Sequence, residues 1–232
     1  MKIVLLPGLD GTGVLFRPFL SQLPTQHLEP IVVSYSPTEC LGYDELLPVV
    51  TRNLPTDSPF VLLGESFSGP LALTAAAKSP PGLRAVVLCA TFIQNPTWLR
   101  WQQLARFVRP FAFRLYPKFS AAKALLGGYA SPELRALVGE AIGAVRPEVL
   151  ACRVRAVFNV NVRRDLAACP VPVLYLRGSR DLVVPSHNLR EIQAALPAVQ
   201  VTTLQAPHMV LQTQPAASAS AIASFLEANG AA

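Results

Sequence analysis

The chain has 232 residues, 51% of them hydrophobic and 15% charged, and carries a net charge of +6. That length suits one large domain or a domain with an insertion, and that hydrophobic share excludes a disordered chain. No apolar run approaches the roughly 20 residues of a spanning helix, so no transmembrane segment is expected. The first residues, Met1 to Leu6, start like a signal peptide, but Pro7 and Gly8 cut the run short and no cleavage site follows, so they read as a strand. Cys40, Cys89, Cys152 and Cys169 are scattered, without metal-ligand spacing. The four could pair, but a chain of this size needs no covalent staples, and a reduced, cytoplasmic setting is expected.

Taken in order, Lys2–Leu6 is the first strand and 7–13 a glycine-rich loop. A helix is expected over Leu15–Leu23, a β-branched and aromatic strand over Ile31–Tyr35, and a helix over Tyr43–Leu54 with Pro48 inside it. Phe60–Leu63 is a short apolar strand bounded by Pro59 and Gly64, and Leu71–Ala77 is rich in the helix formers Ala and Leu. Strands follow at Arg84–Cys89, Val171–Arg177 and Val199–Leu204, with helices at Ser186–Ala195 and Ala216–Ala228. Strands that are apolar throughout and alternate with helices imply an α/β protein, a mostly parallel sheet of about six strands with helices on both faces.

The alternation breaks once, between Thr91 and Ala168. Helix-like pieces lie at Thr97–Val108, Ala121–Leu126, Pro132–Ala144 and Pro147–Asn159, and prolines mark their boundaries. The stretch is too long for a plain connection. The expected organisation is therefore a core formed by 1–92 and 166–232, with 93–165 inserted as a helical lid over the carboxyl edge of the sheet. The insert holds twelve basic residues against four acidic ones, so it carries +8 and the rest of the chain −2.

Between the third strand and its helix the chain must reverse within a few residues. Gly64 and Gly69 flank Ser66, and Ser68 is small. A sharp strand-to-helix turn strains its apex and demands small neighbours. A serine there projects its hydroxyl above a helix N-terminus, where negative charge is favoured. Such a hydroxyl needs a base. His208 directly follows the last strand, on the edge where ligands gather in parallel sheets; His27 and His187 are the rivals. The base needs a carboxylate to fix its tautomer. Asp181 follows the fifth strand on the same edge, whereas Asp165 precedes that strand, Asp57 precedes the third, and Asp10 sits in the first loop.

The turn Gly64-Glu65-Ser66-Phe67-Ser68-Gly69 resembles the nucleophile elbow of the α/β-hydrolase family, Gly-x-Ser-x-Gly, with glycine one place late. The order Ser66, Asp181, His208 is similar to the family's order, and the likeness covers nearly the whole chain. The resemblance implies catalytic Ser66, Asp181 and His208 and an oxyanion hole made by the backbone N–H groups of Leu9 and Phe67. It implies a serine esterase working through an acyl-serine, without cofactor or metal, on a small-molecule ester. An acyltransferase would use the same residues, and a low-turnover ligand-binding or signalling protein on the same fold is the alternative from another class. Candidate substrate-pocket residues are Trp98, Val183 and Met209. In the insert, Trp98, Trp101, Phe107, Phe111, Phe113, Tyr116 and Phe119 alternate with Arg100, Arg106, Arg109 and Arg114. Aromatics inward and arginines solvated is one reading. The other is a basic face for an acidic partner: acyl-carrier protein, a coenzyme A thioester or an anionic membrane surface. Some α/β-hydrolases that demethylate carrier-bound acyl esters use basic lids in this way. No nucleic-acid recognition motif is present, and the glycine-rich loop has neither dinucleotide nor P-loop spacing.

Overall fold

The computed structural model describes residues 1–23, 28–97 and 118–231, the side chains of 118–121 excepted. Six parallel strands form one sheet in the order β2-β1-β3-β4-β5-β6: β1 Lys2–Leu6, β2 Glu29–Val32, β3 Phe60–Glu65, β4 Leu83–Cys89, β5 Val173–Gly178 and β6 Gln200–Leu204. The described helices are α1 Arg17–Leu20, α2 Tyr43–Arg52, α3 Gly69–Ala76, α4 Lys118–Leu126, α5 Pro132–Gly143, α6 Pro147–Asn159, α7 Arg163–Ala167, α8 His187–Ala195, α9 Val210–Thr213 and α10 Pro215–Ala228. This is the α/β architecture expected from the sequence, and every strand pair is parallel.

The pleat divides the core in two. Val4, Leu6, Leu62, Val86, Leu88 and Tyr175 face the layer that holds Leu46, Leu71 and Ile192. Ile3, Leu5, Val61, Leu63, Val87 and Leu174 face Phe16, Phe19, Ile222 and Phe225. A strand buried on both faces cannot alternate in polarity, and β3 is buried at all six positions. Unbroken apolar runs in the sequence therefore report the central strands.

Two elements differ from expectation. The second strand begins at Glu29 rather than Ile31. Pro30 has no N–H to donate, and β2 is an edge strand, where proline is tolerated. The Val33 N–H still bonds the Leu5 carbonyl of β1 at 3.0 Å, after which the chain leaves the sheet and the Tyr35 N–H bonds the Gly11 carbonyl at 2.7 Å. The first helix is broken into a 3-10 turn, Val14–Phe16, followed by a single α turn at Arg17–Leu20 with Pro18 inside its start. Expectations for residues 24–27 and 98–117, including His27, Trp98 and most of the aromatic and arginine positions of the insert, lie outside the described residues.

The cysteine expectation is corrected. Cys40, after β2, and Cys152, in α6, form a disulfide with Cα atoms 5.6 Å apart. The partners are 112 residues apart, so only the fold shows that they meet. Cys89 and Cys169 are free. Among the described residues, no helix is long and apolar enough to cross a membrane.

Candidate active site

Ser66 directly follows β3 at a φ of 49°, the left-handed region that a serine rarely occupies. The surroundings hold it there. Thr91 Oγ1, at the end of β4, donates to the Ser66 carbonyl. A methyl group at Gly69 would fall 2.1 Å from that same Thr91 oxygen, and one at Gly64 would fall 2.6 Å from the Ser68 carbonyl and 2.9 Å from Ala72 Cβ. Both glycines are thus required by the close approach of helix α3 to strands β3 and β4.

The serine at position 68, where the family pattern has glycine, also has a role in the packing. Its hydroxyl is fully buried and donates to the Pro7 carbonyl, and it lies 2.8 Å from the Tyr35 hydroxyl. A Tyr35–Ser68–Pro7 line therefore ties the elbow to the loop after β1. Burial pushes the Tyr35 phenol well above its ordinary range, so it serves this line as a neutral group.

His208 and Asp181 arrive on paired loops. The Ser179 N–H bonds the Leu204 carbonyl at 2.8 Å and the Arg180 N–H bonds the Ala206 carbonyl at 2.9 Å. Gly178 makes the approach possible, since a methyl group there would sit 2.2 Å from the Pro207 carbonyl oxygen. Asp181 Oδ1 accepts from the N–H groups of Val183 and Val184 at 2.8 and 2.9 Å, which fixes the carboxylate. Its Oδ2 lies 2.9 Å from His208 Nδ1, and His208 Nε2 lies 3.0 Å from Ser66 Oγ. The carboxylate can only accept, so Nδ1 carries the proton, and in a neutral ring Nε2 is free to accept from the serine hydroxyl. The Asp181 and His208 side chains are 2% and 6% exposed, so this pair is shielded from solvent.

The rivals lie elsewhere. Asp165 accepts from Thr74 at 3.0 Å. Asp57 is exposed beside Lys2, and His187 opens α8 next to Asn188. Asp10 is near the site, but its Oδ1 is engaged by the Thr12 N–H and hydroxyl.

Ser66 and His208 open onto a cavity of about 540 Å³ that Gly8, Leu9 and Met209 also line. Its other walls are apolar side chains from helices between β4 and β5: Leu125 of α4, Val138 and Ile142 of α5, and Leu150 of α6. Val183 is 39% exposed and does not line the cavity. Phe67 stacks on Tyr43 with ring centroids 4.8 Å apart, and its carbonyl accepts from the Tyr43 hydroxyl at 3.0 Å, so its backbone is held in place.

The sequence reading missed Glu65, which lines the cavity beside the serine. Its Oε1 accepts from Gln212 Nε2 at 2.8 Å. Burial pushes its carboxyl up to about 7, with the nearby Asp10 charge adding to the rise. The signal was available: a charged residue in an otherwise apolar strand needs a partner and a shifted titration.

A parallel six-stranded sheet with a strained serine between its third strand and the following helix places the protein in the α/β class of hydrolases. Residues 3–221 match the model of the alpha/beta hydrolase family, and the chain belongs to that family. It is similar to curated proteins named pimeloyl-[acyl-carrier protein] methyl ester esterase. The one from Xanthomonas oryzae pv. oryzae is 29% identical over 218 residues, covering 87% of this chain and 85% of the relative. The one from Xylella fastidiosa strain 9a5c is 26% identical, covering 87% and 84%. Among solved structures, a bromoperoxidase from Bacillus anthracis matches with a TM-score of 0.84 at 17% identity, covering 97% of this chain and 91% of its own. An esterase from Thermogutta terrifontis matches with a TM-score of 0.82 at 19% identity, covering 98% and 90%. At those identities the structures bear on the fold alone.

Proposed function

We propose that this protein hydrolyses carboxylic esters through an acyl-serine intermediate. One observation carries the reading: the hydrogen-bonded line Asp181–His208–Ser66, with steps of 2.9 and 3.0 Å, ends at the mouth of an apolar cavity. In the mechanism, Ser66 Oγ attacks the ester carbonyl carbon while His208 Nε2 takes its proton. Asp181 orients the ring and stabilises the imidazolium. The carbonyl oxygen, now an anion, is held by the N–H groups of Leu9 and Phe67. Collapse breaks the bond to the alcohol oxygen, which receives the proton from His208. A water molecule then repeats the sequence on the acyl-serine, releasing the acid and restoring Ser66.

The insert 93–165 acts as the lid over the core 1–92 and 166–232. Its helices supply the far walls of the cavity, and the Met209 N–H bonds the Leu125 carbonyl at 3.2 Å, next to His208. The apolar walls favour an acyl chain. A buried methylene is worth about 0.8 kcal/mol, about a fourfold gain in kcat/KM for each carbon until the cavity fills. A p-nitrophenyl ester series from acetate to laurate tests this. A flat profile, or acetate preferred over every longer chain, would contradict the acyl assignment of the cavity.

The names of the relatives and the +8 charge of the insert favour, among ester classes, a methyl ester of an acyl chain held on an acidic carrier protein. Replacing Arg106, Arg109 and Arg114 by Glu should lower turnover of a carrier-bound acyl methyl ester at least tenfold and spare p-nitrophenyl butyrate. Equal losses on the two substrates would contradict the carrier reading. The Cys40–Cys152 disulfide weighs against the reducing cytoplasmic setting that scattered cysteines imply.

A further inference from the structure

Arg153 projects from α6, yet its side chain is wholly buried. Its Nη1 donates to the carbonyls of Leu9 and Asp10 at 2.9 and 2.7 Å, and its Nη2 to the Ser36 carbonyl at 2.9 Å. The guanidinium carbon lies 5.6 Å from the Tyr35 ring centroid. Gly11 leaves room for it, since a methyl group there would fall 2.5 Å from Nη1.

Burying a guanidinium is unfavourable unless its donors are taken up. A leucine or methionine would fill the volume, but two adjacent carbonyls of the loop after β1 would lose their donor. That loop is gripped from two sides. The elbow's Ser68 holds the Pro7 carbonyl, and the lid's Arg153 holds those of Leu9 and Asp10. The peptide that carries the Leu9 N–H lies between the two grips. Its direction is set by the dihedral angles of Gly8 and Leu9, which these carbonyl anchors constrain. The next residue toward the N-terminus, Cys152, is covalently joined to Cys40. The same helix turn is thus fastened to the loop after β2.

We infer that Arg153 is a positioning residue for the oxyanion loop: from the lid it locks the Leu9 and Asp10 carbonyls and so aims the Leu9 N–H at the reacting carbonyl, making seating of the lid a condition of turnover. This rests on the proposed hydrolytic mechanism. A fixed donor aids the transition state only when it is correctly aimed, and small misplacements are costly.

The test compares wild type with Arg153→Lys, which keeps the charge and most of the stem but not the fork. A second variant, Arg153→Met, fills the volume and removes every donor to the Leu9, Asp10 and Ser36 carbonyls. Rates on p-nitrophenyl butyrate are normalised to folded protein by near-ultraviolet circular dichroism. Inhibition is measured with an alkyl trifluoromethyl ketone, which forms an oxyanion on a serine, and with the matching methyl ketone, which reports the cavity alone. The expected result is a fall in kcat of about tenfold to a hundredfold with KM within about threefold, as for a lost transition-state contact. Trifluoromethyl ketone affinity should fall in parallel while methyl ketone affinity holds. Should Arg153→Lys not fold, Arg153→Met carries the same expectation. Folded variants with kcat within about twofold of wild type overturn the inference and leave the hydrolase reading standing. Equal losses for the two ketones overturn it too, since they mean a collapsed cavity. A wild type that neither turns over esters nor binds the trifluoromethyl ketone removes the hydrolase reading and this inference together.

Discussion

Replacing Glu65 by Gln should stabilise the protein at pH 8 and leave its stability unchanged near pH 4. The carboxyl is buried between the elbow and α9, and it holds its proton in the folded state up to a pH of about 7, against 4.5 for the free group. Burial is the larger cause and the Asp10 charge adds to it, while the Gln212 hydrogen bond and His208 act in the opposite direction. Between those two values the folded protein binds the proton and the unfolded chain has released it. Stability therefore falls as pH rises through that window and levels off above it. Each tenfold difference in proton affinity corresponds to about 1.4 kcal/mol, so the window is worth on the order of 3 kcal/mol. Glutamine keeps an oxygen to accept the 2.8 Å hydrogen bond from Gln212 and removes the charge. Urea unfolding of both proteins at pH 4, 5, 6, 7 and 8 measures the difference. It should be near zero at pH 4, grow across the window and reach a plateau of up to about 3 kcal/mol. A difference independent of pH, or a less stable variant at pH 8, would refute the assignment of a neutral buried carboxyl.

The remaining predictions concern the site and its supports. His208→Ala should lower kcat by about a thousandfold or more, and Asp181→Asn should do the same by favouring the wrong tautomer; a folded variant within a few-fold of wild type would contradict the assigned roles. Ser68→Gly restores the family's pattern yet should cost about 1 to 3 kcal/mol, because the Tyr35 hydroxyl and the Pro7 carbonyl lose a buried partner. Thermal melting would show this, and a variant as stable as wild type would contradict it. Cys152→Ser should remove up to about 5 kcal/mol, the loop-closure value for a loop of 112 residues. Unchanged melting, or four titratable thiols in the unreduced, unfolded wild type, would contradict the disulfide.

Much of this was legible in the residues. Central strands buried on both faces announce themselves as apolar runs, and the chain leaves β3, β5 and β6 shortly before Ser66, Asp181 and His208. What escaped was decided by meetings of distant segments. Arg153 reads in the sequence as one of twelve basic residues on a charged insert, and only the convergence of the Leu9, Asp10 and Ser36 carbonyls shows why it is buried. Cys40 and Cys152 look unrelated until α6 packs against the loop after β2. Ser68 reads in the sequence only as a small residue where the pattern has glycine, whereas its hydroxyl joins two loops. The start of β2 is hidden because Pro30 does not read as a strand residue except at a sheet edge.

The most direct measurement is intact-mass spectrometry after incubation with an alkyl fluorophosphonate. Wild type should gain one phosphonyl group with loss of fluoride, peptide mapping should put it on Ser66, and folded Ser66→Ala should neither take up the label nor hydrolyse p-nitrophenyl butyrate. Label on another residue, or a folded Ser66→Ala protein that turns over the ester at the wild-type rate, would contradict the acyl-serine account.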